Sequence, residues 1–84
     1  MKATTELQSL HTKAADILWD IDIELRKIVS LNEVILIIPK TCLFDIQLLE
    51  KDIEYIRLNI ERLQNKYKSI IIEIQQCYEY KFRQ

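Results

Sequence analysis

Between Ile46 and Cys77 the apolar residues fall at Ile46, Leu49, Ile53, Ile56, Ile60, Leu63, Tyr67, Ile70, Ile74 and Cys77. The steps between them alternate three and four without interruption. That period keeps one apolar seam of a helix turned toward a neighbouring helix along its whole length. With Ile46 as heptad position a, the a set is Ile46, Ile53, Ile60, Tyr67 and Ile74. The d set is Leu49, Ile56, Leu63, Ile70 and Cys77. A chain that carries such a seam folds against other helices.

Size decides how much of that packing the chain can do alone. At 84 residues it forms one domain, which buries only roughly 60% of its unfolded surface. Small domains compensate with disulfides, metals or oligomerisation. The cysteines Cys42 and Cys77 lie 35 residues apart on one predicted helix, a span of about 50 Å. A disulfide needs Cα atoms within roughly 7 Å, so an internal bridge is excluded. Two unpaired thiols without a signal peptide predict a reducing, intracellular location. Zinc needs clustered ligands, and His11 is the single histidine. Oligomerisation remains.

The chain has no glycine and one proline. Tight hairpins draw on glycine for positive φ, so a β-rich fold is disfavoured. The longest apolar run, Val34 to Ile38, is five residues, far short of the roughly 20 a membrane span requires. Net charge is −1 with both signs interspersed. Such a surface gives no strong handle for nucleic acid or an anionic membrane.

A first helix is predicted from about residue 5 to 31, with 37 as its outer limit. Thr5 and Gln8 have capping-box spacing. Leu7, Leu10, Ala14, Ile17, Leu18, Ile21, Leu25 and Ile28 make a broad apolar stripe. Ala15, Trp19 and Ile23 form a second stripe on the back. Trp19 and Ile21 are about 200° apart around a helix, so they cannot face the same neighbour. A two-helix hairpin by itself would leave Trp19 in water. Asp16, Asp20 and Glu24 form an acidic row, read as a solvated face because the histidine motif of a helical-bundle metal site is missing.

Periodicity cannot assign Val34–Ile38 to helix or strand. Pro39 disfavours helical geometry at Ile38 and ends the first helix there or earlier. The connection is therefore placed at about 32–41 and the second helix at about 42–82. Thr41 is its predicted N-cap, and Asp45 sits near its positive pole. Leu48 with Tyr55, and Leu58 with Ile72, are apolar residues outside the seam. They exceed what a two-stranded zipper uses.

Catalytic arrangements are not evident. His11 has no acid or cysteine at a useful spacing, neither cysteine has a local histidine, and a phosphate-binding glycine loop is impossible. The tail Tyr78–Arg83 mixes aromatic and basic residues. Cations near a helix C-terminus, with aromatics contacting a partner, explain it better than nucleic-acid stacking.

The order of features resembles the small second subunit of the spindle and kinetochore-associated (Ska) complex. The matching positions are Leu7, Leu10, Lys13-Ala14, Leu18, Ile21 and Leu25, followed after a loop by Pro39-x-Thr41-x-Leu43 and then Ile46, Leu49, Ile53 and Ile56. The likeness covers Leu7 to Ile60; the connecting loop is shorter here, and so is the C-terminal part. The resemblance implies a purely helical subunit that shares a bundle with two longer partners in a trimer that itself dimerises. It further implies a role in kinetochore–microtubule attachment and chromosome segregation, at the kinetochore, spindle and cytoplasm.

The reading is therefore a single all-α domain over 1–84, two long antiparallel helices contributing to a coiled coil or multi-helix bundle with partner chains. Leu7, Leu10, Ala14, Leu18, Trp19, Ile21, Ile23 and Leu25 on the first helix, and the ten seam residues from Ile46 to Cys77 on the second, are the expected partner-binding residues. No catalytic, cofactor-binding or metal-binding residues are expected, and no small-molecule substrate, nucleic acid or membrane. The alternative is an unrelated small helical adaptor or inhibitor acting as a homodimer.

Overall fold

The computed structural model describes residues 2–83, with side chains described from 5 to 79. Two helices, α1 (Lys2–Ile37) and α2 (Leu43–Arg83), make up almost all of it, and no strand occurs among the described residues. They pack on each other as a hairpin measuring 66 × 14 × 14 Å.

The seam of α2 does what its spacing dictates. All ten residues from Ile46 to Cys77 are half-buried or buried, and Ile53, Ile60 and Ile74 are buried outright. The inward row of α1 runs Leu7, Leu10, Ala14, Ile17, Ile21, Glu24, Ile28, Leu31, Ile35 and Ile38. It too alternates three and four, so two rows of one period face each other along the rod. Each fully buried side chain of this kind contributes about 1.5–3 kcal/mol. Among the described residues only Ala14, Ile53, Ile60 and Ile74 are buried, and no side chain is fully so; the hairpin alone has a thin core.

Several expectations are corrected. Leu18 and Leu25 lie outside the inward row and are exposed. A row that steps strictly by three and four passes through Glu24, and Leu25 is one residue, about 100°, further around. The acidic row divides accordingly: Asp16 and Asp20 are solvated, but Glu24 is turned inward with its side chain 14% exposed. Helix α1 begins at Lys2, so Thr5 lies inside the helix and does not cap it.

Helix α1 ends at Ile37, the outer limit expected, so the connection spans 38–42 and not 32–41. Helix α1 continues through Val34–Ile37 because Leu31, Ile35 and Ile38 extend its inward row, and Ile38 N–H still donates to the Val34 carbonyl at 3.0 Å. Pro39 then stops it, having no N–H to give. Cys42 N–H bonds the Pro39 carbonyl at 2.9 Å and closes a turn over Lys40 and Thr41. No described residue has positive φ, so this reversal works without glycine. The Cys42 carbonyl accepts from Ile46 N–H at 3.1 Å. Cys42 rather than Thr41 thus holds the N-cap position, one residue nearer the helix. Asp45 lies in the first turn, where the helix dipole favours an acid.

Candidate partner-binding surface

The structure divides the expected partner-binding residues in two. Leu7, Leu10, Ala14 and Ile21 and the ten seam residues of α2 turn inward along the hairpin, α1 against α2. Their first partner is the other helix of the same chain. Leu18, Trp19, Ile23 and Leu25 face outward. Trp19 is 63% exposed, as the geometry of a lone hairpin requires.

Outward apolar residues go well beyond these four. On α1, Leu18, Leu25, Val29 and Leu36 step by seven, four and seven along one flank, while Ile23, Val34 and Ile37 lie on the other. Leu36 is 85% exposed and Ile37 81%. Next to them across the turn stand Leu43 and Phe44, also exposed. The outer side of α2 adds Leu48, Tyr55, Leu58 and Ile72. Val29, Val34, Leu36 and Ile37 are not among the residues that the sequence spacing marks for binding. Their spacing was readable, but the run around Val34 left the secondary structure there undecided, and with it the faces.

Surface area puts a magnitude on this. A compact monomer of 10.1 kDa exposes about 5,300 Å². The hairpin exposes 7124 Å², about 1,800 Å² more than that. A standard protein interface takes roughly 800 Å² from each partner. The excess is of the size that docked helices remove.

One polar residue, Glu24, interrupts the inward row of α1. Lys27 Nζ donates to Glu24 Oε1 at 2.9 Å along α1, and Asn59 of α2 lines an open groove beside the same carboxylate. The Lys27 bond is the main reason the Glu24 carboxyl titrates below its ordinary value of 4.5; burial opposes it and Asn59 adds to it. The groove is lined by Ile23, Arg26, Ser30, Leu31, Asp52, Tyr55 and Ile56 as well. Its charges are largely matched within the chain, since Arg26 Nε pairs with Asp22 Oδ2 at 3.1 Å. The groove therefore presents no strong field to a charged ligand.

Among the described residues no group of three or more His, Cys, Asp or Glu side chains could hold a metal ion. Cys42 and Cys77 are both free and half-buried. His11 is exposed. No described helix is long and apolar enough to cross a membrane. Tyr78 is exposed, and the side chains of the rest of the aromatic–basic tail, from Tyr80, lie outside the described residues. No family model, curated protein or solved structure matches the chain.

Proposed function

We propose that the hairpin is a structural subunit of a heteromeric helical assembly, with α1 the helix that its partners enclose. One observation carries this reading: α1 is apolar on three sides. The inward row is covered by α2, and the flanks at Leu18–Leu36 and Trp19–Ile37 remain open. Exposed apolar area on this scale marks an interaction surface in a protein of ordinary solubility. Two uncovered flanks on one helix fit a bundle of several helices better than a single added strand of coiled coil. The reading assigns the chain no catalysis.

The resemblance of Leu7 to Ile60 to the small second subunit of the Ska complex supplies a specific version of this proposal. In it the partners are two longer helical subunits, and the assembly serves kinetochore–microtubule attachment in mitosis.

The test is recovery of the tagged full-length chain from its native cells alongside a Leu25→Lys variant. Leu25 is about half exposed in the hairpin, so the variant keeps its helical circular dichroism. The expected result is a fixed set of helical partners with the parent chain and their loss with the variant. Recovery of the parent chain alone, or of the same partners with both, overturns the reading.

A further inference from the structure

The hairpin has two broad faces, and the open groove marks one of them. Ile23, Lys27 and Ser30 of α1 and Asp52, Tyr55 and Asn59 of α2 line that groove. Each of the six stands one residue before an inward position of its helix. One residue is about 100° around a helix, so residues one after an inward position lie on the opposite face. On α1 those are Leu18, Leu25, Val29 and Leu36, which follow Ile17, Glu24, Ile28 and Ile35. On α2 they are Glu50, Glu54, Arg57 and Glu61, which follow Leu49, Ile53, Ile56 and Ile60. The groove sets Glu24 and Leu31 beside Asn59 and Asp52, so these two rows run alongside each other.

The rows are unlike. The α1 row is apolar and exposed along its length. The α2 row is three acids and one base, all exposed. Among the described residues none of those four charges is in an ion pair; both pairs belong to α1. Asp22, which α1 adds to this face, is already held by Arg26. The groove face has no such imbalance, since Glu24, Asp52, Arg26 and Lys27 give it two charges of each sign.

We propose that the face opposite the groove receives one amphipathic helix of a partner subunit, with lysines or arginines along the edge that overlies α2. This rests on the heteromeric reading and names the chemistry of the partner. The apolar side of that helix covers Leu18, Leu25, Val29 and Leu36. Its basic edge meets Glu50, Glu54 and Glu61. From Leu18 to Leu36 the row is about 27 Å long, so the partner helix needs about 18 residues. A second copy does not complement the face. Meeting it through the same face, it sets two rims of net negative charge against each other. Meeting it through a different face, it leaves one of each unsatisfied and propagates into an open chain.

The test uses the tagged full-length chain in its native cells, with a photo-cross-linking phenylalanine in place of Gln64. Gln64 is exposed and follows Leu63, on the same face. The cross-linked peptide should come from an amphipathic helix with basic residues recurring every three or four positions along one edge. Glu54→Lys combined with Glu61→Lys changes two exposed positions, keeps the helical circular dichroism and weakens the purified complex at least about tenfold. Raised ionic strength weakens the parent complex in the same direction. Changing the facing bases of the partner to glutamate restores binding to the lysine variant. A cross-linked segment with no basic edge, or one from a second copy, overturns this inference alone. So does a lysine variant that binds at parent strength, or a loss that the partner's reversal does not rescue. Recovery of the parent chain without any partner overturns the heteromeric reading and this inference with it.

Discussion

Glu24 of α1 and Asn59 of α2 line one groove across the hairpin, both half-buried beside a seam whose neighbouring members are Ile21, Ile28, Ile56 and Ile60. A polar contact within an apolar seam costs stability and fixes alignment, since any slip of one helix strands both groups. Two uniform rows of isoleucine and leucine have little else to prevent such a slip.

Replacing Glu24 by Leu alone removes the acceptor of Lys27 and leaves Asn59 half-buried against an apolar side chain. The hairpin should lose about 1–3 kcal/mol. Replacing both Glu24 and Asn59 by Leu removes the two polar groups together and should be near neutral. Thermal melts of the three chains decide the matter. A single variant as stable as the double variant would mean that the contact across the helices carries no energy.

The same carboxyl gives the hairpin a pH dependence. Its folded pKa is lowered from the ordinary value of 4.5, chiefly by the Lys27 hydrogen bond. The stabilisation is therefore full above 4.5 and is lost as the pH falls from there through the lowered folded value. Glu24→Gln should flatten this part of the stability profile and leave the profile above it unchanged. Equal slopes for parent and variant in the acid range would place the titration elsewhere.

The α2 seam was legible because nothing interrupts it, and ten positions in one period admit a single register. The α1 seam was not, for the reason the two residues above make plain. Its period runs through Glu24, and counting apolar residues instead selects Leu18 and Leu25, which belong to an outer flank. Two apolar stripes on one helix cannot be ranked by hydrophobicity alone; the partner helix chooses between them. Val34–Ile37 is a different case, which periodicity leaves open and the structure resolves as helix. Pro39 is the stop, but its steric reach covers only Ile38, and the residues before it stay helical because they continue the inward row. The cap was misplaced by one residue, since a threonine looked the better N-cap than the cysteine that holds the position. Trp19 was placed correctly on geometry, being two residues from a seam position.

Ile60 is buried at 8% exposure in the middle of the α2 seam, so Ile60→Asp sets an unpaired charge between the helices. Such a charge costs several kcal/mol, comparable to the whole stability of a small domain. The variant should be largely unfolded by circular dichroism. Gln75→Asp, at an exposed position of the same helix, should change stability by less than about 0.5 kcal/mol. Similar melts for the two variants would contradict the seam.

The remaining prediction concerns Trp19, whose emission reports on the outer face of α1 alone because it is the only tryptophan. At 63% exposure it should emit as a solvated indole in the isolated chain. Partners that enclose α1 must cover Trp19, so their addition should shift the emission to the blue. Trp19→Ala should then weaken the heteromeric complex by a few kcal/mol, as for a buried aromatic anchor. A blue shift that follows the chain's own concentration would mean that copies meet through α1, and the enclosing role of other subunits would lose its physical basis.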